Sequence, residues 1–490
     1  MAVLAACGLA IGGAVSAQAS QLVEITIPAR NGEINERWYS YSGPPRARVL
    51  LPDGYDPQRA YPLLLLLSGL NSNYKAWSHP SGGDIARTAA GLNAIIVMPE
   101  GASGWYADWW SGGRRDGPRW ESYVLDQVLP QVLARYKIRP ERRYHAIAGV
   151  SMGGLGAAYL GGRLPGFFGS VAVVSGFVDL AVYPSLLVGA AQSAFAQFNS
   201  GAPLDLQGVE GPPGGFYERG HDPVKLASNL RETRVYMASG DGTLGPEALR
   251  PDMLGYWIAE TLVIAPQSVN YAAALRAAGV DVRYDRATGY HDSETPRREL
   301  RNAIRWGLFE PVDERPTSWV NDTVATHGRL WEFDYRFDAP PDRVVRFRRA
   351  GGRLTVSAAG SPVRITAAGC RFRIETPGSV PVPNVPCTAA ASPAAPASRA
   401  RPRVTRIRLT AGRLALRVSS PATVRVAIER RGDRGGWRTA RRLSLTSDRR
   451  WATLRRSLRR LPAGRYRVVV RARSRASGRT RTVRVVRALR

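Results

Sequence analysis

The sequence predicts an α/β domain of about 290 residues on a mostly parallel sheet, followed by all-β modules. Three observations predict it. Tyr61 to Leu67, Ile95 to Met98 and Ala146 to Val150 are apolar runs without alternation, as strands buried on both faces require. Helical stretches separate them, notably Trp120 to Tyr136 and Tyr256 to Ala278. Beyond Pro311 the pattern changes to short alternating segments with Gly and Pro turns, which is the signature of antiparallel β structure.

The first 19 residues are small and apolar and end in Ala17-Gln18-Ala19, an A-x-A cleavage pattern. They read as a secretory leader, which predicts a secreted or cell-envelope location. Residues 20–312 then form the α/β domain. It opens with alternating segments, Leu22 to Ile27 and Arg46 to Leu51, separated from the first buried strand by the turn Pro52-Asp53-Gly54. In the helix over Trp120 to Tyr136, Val124, Leu125, Val128, Leu129, Val132 and Leu133 recur at helical spacing despite Pro130. Val171 to Ser175 and Arg234 to Ala238 are further buried strands. Between them 180–232 is long and irregular, as a cap or lid would be. In the helix Tyr256 to Ala278 the inner face is expected at Leu262, Val269, Ala273 and Leu275. Val280 to Tyr284 is the last strand, and Glu299 to Phe309 is a closing helix.

Residues 318–388 read as a small β domain, 389–402 as an Ala/Pro/Ser linker, and 403–490 as about seven short strands, enough for an immunoglobulin-like sandwich. With Cys7 in the leader, Cys370 and Cys387 remain, and two cysteines in an exported chain most simply pair. A metal centre is not implied, because no histidines lie near them.

The formal charge is +30, but it is not spread evenly. Residues 391–490 hold 30 arginines against Glu429, Asp433 and Asp448, a net of +27 (30 − 3), which leaves +3 (30 − 27) for the rest. The serine-containing domain is therefore not a basic protein. The basic tail predicts either a solvated polar face or a contact with an anionic wall polymer or membrane surface. Its aromatics are few (Trp437, Trp451, Tyr466), which argues against nucleic acid.

The chemistry is carried by Gly149-Val150-Ser151-Met152-Gly153, which follows an apolar strand and precedes a run of small helix-forming residues. G-x-S-x-G in that setting is a tight strand-to-helix turn that lifts a serine oxygen out of the sheet. A serine hydroxyl needs a base, and the base needs an orienting carboxylate. His291, in a Gly-x-His turn past the last strand, is the base. His145 lies inside the elbow strand and is expected to be packed; His79 and His221 lie in loops, and His327 belongs to the β region. Two acids compete. Asp241 follows a strand end, and Glu260 sits on the next helix. The oxyanion donors are expected to be the backbone N–H groups of Met152 and of Leu70, after Gly69. Ser68 to Asn71, Ser151, Asp241 and His291 all follow strand ends, where ligands of such sheets sit. The aromatic loop Gly104 to Trp110 offers Trp109 and Trp110, with Asn71, as a substrate wall.

Leu66-Leu67-Ser68-Gly69-Leu70, Ile96 to Gly101, Tyr106-Ala107-Asp108-Trp109-Trp110, Trp120-Glu121, Gly149 to Gly154, Gly240-Asp241-Gly242-Thr243 and Gly289-Tyr290-His291 occur in one order. Residues 40–310 thereby resemble the secreted esterase-D-like α/β-hydrolases, above all the actinobacterial mycolyltransferases of the antigen 85 type. The resemblance implies an acyl-enzyme mechanism without a cofactor. It places the acid on the helix after the Gly-x-Gly-Thr loop, which selects Glu260 over Asp241, and it implies Leu70 and Met152 as oxyanion donors. The family's tryptophan two residues after the histidine is Ser293 here. Its aspartate before the oxyanion-loop glycine is Ser68, and its arginine after the leucine is Asn71; these positions shape the family's trehalose site, so the resemblance does not carry trehalose over as the acceptor. The expected function is a serine esterase or acyltransferase, mycolyltransferase-like on envelope lipids or a plain carboxylesterase. The opposing expectation, from the basic tail, is a wall-binding protein with a vestigial hydrolase fold.

Overall fold

A computed structural model of the chain describes residues 19–182 apart from 31–33 and 35–43, then 206–244, 253–292, 294–383 and 387, and 404–489 apart from 411, 420, 421, 433, 434, 448–451, 459, 460 and 475–479. The leader up to residue 18, the linker, Ser293 and residues 183–205 of the expected cap lie outside the described residues. The chain divides into two compact units, Met1–Pro386 and Cys387–Arg490.

The first unit is built on eight strands: β1 (Gln21–Thr26), β2 (Arg46–Leu51), β3 (Leu63–Leu67), β4 (Ile95–Pro99), β5 (His145–Val150), β6 (Ser170–Val174), β7 (Arg234–Gly240) and β8 (Val282–Ala287). Their order is β1-β2-β4-β3-β5-β6-β7-β8. β1 and β2 are antiparallel to their neighbours, and every pairing from β4 to β8 is parallel. The five leucines of β3 show why an unalternating run suits this sheet. Leu63, Leu65 and Leu67 join one core, beneath the helices over 120–135, 152–163 and 254–277. Leu64 and Leu66 join a second core on the opposite face, with Ile85, Leu300 and Ala303. The last helix runs Glu294–Trp306, five residues ahead of the expected start, and the last strand is displaced towards 287.

Both long helices contain a widened π turn, Val124–Val128 before Pro130 and Ala259–Ile264 before Pro266. Proline has no N–H for the ladder and its ring crowds the preceding turn, so the turn opens rather than the helix ending. In the first helix the expected face is buried except Leu133, which is exposed. In the second, three of the four expected inner positions are exposed, Leu262 at 44%, Val269 at 47% and Ala273, and Leu275 alone of the four is buried. The buried face is instead Glu260, Val263, Ile264, Gln267, Ser268, Tyr271, Ala272 and Leu275. The apolar pattern misled because Glu260, Gln267 and Ser268 are polar yet face inward, Glu260 onto His291 and Gln267 onto the backbone of Val178 and Asp179.

Residues 319–381 form eight strands, β9 (Trp319–Thr323), β10 (His327–Leu330), β11 (Phe333–Phe337), β12 (Val345–Ala350), β13 (Arg353–Val356), β14 (Val363–Ala367), β15 (Cys370–Ile374) and β16 (Gly378–Pro381), in two four-stranded antiparallel sheets around one core that includes Trp319, Phe333, Tyr335, Phe347 and Ile365. This sandwich sits on the α/β layer closely enough to share a compact unit with it. Arg163 donates to Tyr335 Oη and His327 O, and Asn321 Nδ2 donates to Gly162 O. The second unit has seven strands: β17 (Val404–Leu409), β18 (Arg413–Val418), β19 (Ala422–Arg431), β20 (Trp437–Ser447), β21 (Ala452–Ser457), β22 (Gly464–Ser474) and β23 (Thr480–Leu489). They form sheets β17-β18-β21 and β20-β19-β22-β23 over a common core of Val, Leu and Ile with Tyr466. Cys370 and Cys387 are both disulfide-bonded.

Candidate active site

The elbow is assembled from backbone contacts that only glycine permits. A Cβ on Gly149 would overlap the carbonyl of Gly153, and one on Gly153 would lie 2.5 Å from Leu67 O and 2.7 Å from Ser68 O. Ser151 takes φ 58° and ψ −119°, a conformation costly for a side chain with a Cβ. The surrounding structure holds it there. Its N–H lies 3.0 Å from Val174 O and 3.1 Å from Ser175 O, and its carbonyl accepts from Gly154, Leu155 and Phe177. The helix Met152–Arg163 begins at once, so Met152 N–H has no intrahelical acceptor.

The loop after β3 lies against this turn. A Cβ on Gly69 would sit 3.4 Å from Ser151 Cβ, which puts Leu70 beside the serine. Tyr106 Oη accepts from Ser68 N–H at 3.0 Å and donates to Ser68 O at 3.1 Å, and Trp77 Nε1 donates to Leu67 O at 2.8 Å. Asn71 has φ 54°, and its amide oxygen accepts from Ser103 Oγ at 3.2 Å.

His291 Nδ1 meets Glu260 Oε2 at 2.8 Å. The Glu260 side chain is fully buried, and the histidine is 12% exposed. The other carboxylate oxygen, Oε1, accepts from Gly240 N–H at 2.6 Å and from Ser175 Oγ at 3.1 Å. Ser175 thus touches both halves of the site, through its carbonyl to Ser151 N–H and through its hydroxyl to Glu260. Asp241 does not touch His291. Its Oδ1 accepts from Thr243 N–H at 2.8 Å and Gly289 N–H at 3.1 Å, tying the loop after β7 to the loop that carries the histidine. Burial pushes the Asp241 carboxyl up, but the hydrogen bonds from Thr243 and Gly289 together outweigh it and hold the group below its usual range.

Two further residues were not legible as site residues. Ser175 follows the end of an apolar strand, as Ser68, Ser151, Asp241 and His291 do, so the signal was present. Glu299 had none, because it lies in the arginine-rich stretch Arg297-Arg298-Glu299-Leu300-Arg301 and reads as solvated. It is 1% exposed, and its Oε2 accepts from the same Ser175 Oγ at 3.3 Å. Burial, reinforced by the neighbouring Glu260 carboxylate, pushes its carboxyl far up.

The aromatic loop is arranged differently from expectation. Trp110 packs on Phe216 and Tyr217 beneath the Arg115 guanidinium. Trp109 lines a cavity of about 580 Å³ together with Asp108, Glu121, Arg163 and His221, and none of Ser151, Glu260 and His291 lines it. Trp105 is the member of the loop that reaches the elbow, packing edge-on against Phe177, whose N–H donates to Ser151 O. His145 is packed within β5, its ring nitrogens on Phe167 O and Arg139 O. His221 is not solvated but buried between Glu121 and Glu210, and these carboxylates raise its pKa against the effect of burial.

An eight-stranded sheet with this strand order, an elbow serine at the end of β5 and a histidine–carboxylate pair beyond β7 and β8 defines an α/β-hydrolase unit. Residues 40–306 match the Esterase family model ("Putative esterase"), and the chain belongs to that family. The resemblance expected from the motifs holds at that level. Esterase Rv1288 of Mycobacterium tuberculosis (strain H37Rv) is 31% identical over 258 residues, which cover 50% of this chain and 52% of that protein. An endo-1,4-beta-xylanase/feruloyl esterase of Xylanibacter ruminicola is 28% identical over 142 residues, covering 26% of this chain and 19% of that one. The chain therefore spans about half or less of the length of the curated relatives it matches. Among solved structures, Mycobacterium tuberculosis MPT51 (FbpC1) is similar at 21% identity and a TM-score of 0.45, covering 59% of this chain and 98% of that one.

Proposed function

We propose that the chain is an exported serine esterase that works through an acyl-enzyme on Ser151. The observation that carries this reading is the unbroken run Ser151–Ser175–Glu260–His291, which ties the elbow serine to a buried histidine–carboxylate pair. Ser151 Oγ attacks the ester carbonyl as His291 Nε2 takes its proton. Glu260, on Nδ1, fixes the imidazole's tautomer and stabilises the imidazolium. The N–H groups of Leu70 and Met152 receive the oxyanion. The tetrahedral adduct collapses, the alcohol leaves with the proton from His291, and the acyl group stays on Ser151. Water, deprotonated by His291, then releases the acid and restores the serine. Export rests on the apolar leader ending in Ala17-Gln18-Ala19.

Hydrolysis of p-nitrophenyl butyrate tests the assignment. Ser151→Ala should lower kcat/KM by at least about 10⁴-fold, and Glu260→Gln by about 10³ to 10⁴. Asp241→Asn should cost less than about 10-fold. Turnover unchanged in Ser151→Ala would remove the esterase reading, and loss confined to Asp241→Asn would move the acid. The acyl donor is identified by mass spectrometry of the acyl-enzyme trapped from a cell-envelope lipid extract. A long branched chain supports envelope acyl transfer, and a short or aromatic acyl group supports plain hydrolysis.

A further inference from the structure

The second unit carries a charge arrangement that its own folding does not require. In the sheet β20-β19-β22-β23, Val424, Val426, Val468 and Val470 point into the core. The residues between them point outward. There the register sets Arg425 of β19 directly opposite Arg471 of β22. In the next row of the same face, Arg442 of β20 and Arg484 of β23 flank Ala427 and Val469. All four arginines are exposed. Among the described residues none of the four is ion-paired, and the one acid on this face, Glu429, is held by Arg467 at 2.7 Å.

Like charges directly opposite across a strand pair destabilise a sheet. A solvated face needs no such pair, since the neighbouring outward positions are filled by Thr423, Thr446, Thr482 and Ser444. The spacing is specific. Adjacent strands lie about 4.8 Å apart, and alternate residues along a strand lie about 6.7 Å apart. The four arginines are therefore rooted in a zigzag, Arg442–Arg425–Arg471–Arg484, with steps of roughly 8, 5 and 8 Å, and each can fork onto a carboxylate or phosphate oxygen pair. We infer that this face binds an extended linear polyanion bearing one carboxylate or phosphodiester group about every 5–8 Å. A lipid surface fits less well, because Ala427, Val469, Ser444 and Thr482 fill the arginine rows and none can reach acyl chains. Single-stranded nucleic acid would need stacking aromatics among those rows, and there are none.

The test uses the full chain and the double variant Arg425→Gln/Arg471→Gln. Both positions are exposed, and removing the like-charge pair should leave the thermal midpoint unchanged or higher. Binding is measured against polygalacturonate and poly(glycerol phosphate), with dextran, phosphatidylglycerol vesicles and duplex DNA as controls, from about 0.05 to about 0.3 M salt. The wild type should bind one or both polyanions and not dextran, with polygalacturonate or poly(glycerol phosphate) identifying the oxyanion. The variant should bind at least about 10-fold more weakly, with the slope of log K against log salt shallower by about 1.5. Its p-nitrophenyl butyrate turnover should be unchanged, which separates this surface from the esterase site. Equal binding by the variant, no polyanion binding by the wild type at 0.15 M salt, or tighter binding to vesicles or DNA would each overturn the inference.

Discussion

Two carboxyl groups share one serine hydroxyl at the heart of the site, and they cannot both be charged at low cost. In the proposed mechanism Glu260 is the carboxylate that holds the imidazolium of His291. Glu299, also on Ser175 Oγ, is faced by Glu260, Asp292, Arg298 and the phenols of Tyr236 and Tyr284. Burial and Glu260 raise its pKa in the folded chain, whereas in the unfolded chain it titrates near 4.5. Between those values the unfolded state binds fewer protons, so the contribution of Glu299 to stability is complete below about pH 4.5 and is lost as pH rises. Glu299→Gln keeps an acceptor for Ser175 without the charge. Relative to wild type, its urea midpoint should therefore rise from pH 5 to pH 8. A constant difference between the two proteins across that range would show that Glu299 is not held protonated. The sequence exposed Ser151 and His291 because their spacing to strand ends is local. It left Glu260 and Asp241 in competition because the pairing is tertiary, resolved by a fold that brings a helix residue 31 positions upstream onto the histidine. Glu299 stayed hidden because its burial depends on the whole helix packing against β6 and β7.

At the scale of elements, the strands were more legible than the helix faces. An unbroken leucine run can only be a strand with cores on both sides, and β3 is one. The helix over 254–277 was placed correctly but turned wrongly, because Glu260 and Gln267 occupy inward positions that an apolar pattern assigns elsewhere. Gln267 Oε1 accepts from Val178 N–H at 2.9 Å and Asp179 N–H at 3.2 Å, bracing the chain just after the elbow's neighbour Phe177. Polar residues break the pattern where they serve a site. The elbow itself was fully legible, since its glycines are steric requirements. Gly149→Ala would drive a methyl into the backbone carbonyl of Gly153, which cannot give without moving the serine. The expected cost is about 3 kcal/mol of stability, read as a lowered urea midpoint, with kcat/KM down about 100-fold from misplacement of Ser151. A stable and fully active Gly149→Ala protein would mean that the turn is looser than its contacts imply.

At the scale of the molecule, the small sandwich over 319–381 is part of the hydrolase unit rather than an appendage. A composition shift near Pro311 marked a domain boundary in the sequence, but the side chains that cross it, polar and apolar, are scattered along the chain, so no local pattern announced them. Asn229 illustrates the coupling. Its amide oxygen accepts from Asp322 N–H at 2.7 Å and its Nδ2 donates to Asp322 O at 2.8 Å, so a side chain from the α/β layer pairs with a sandwich strand as another strand would. Asp322 is also gripped by Arg346, and Asn229 is 2% exposed. Around it, Trp331 closes on Gly166, Val324 on Gly220, and Arg142 N–H donates to Glu314 at 2.7 Å. Asn229→Ala strands a buried backbone donor and acceptor together, at a cost of about 2–4 kcal/mol. If the α/β layer and the sandwich unfold as one body, calorimetry should show one transition for the first unit. That transition should move down as a whole in Asn229→Ala, while the transition of the arginine-rich unit stays in place. Splitting of the first transition, or a shift confined to part of it in the wild-type background, would show that the two layers fold independently.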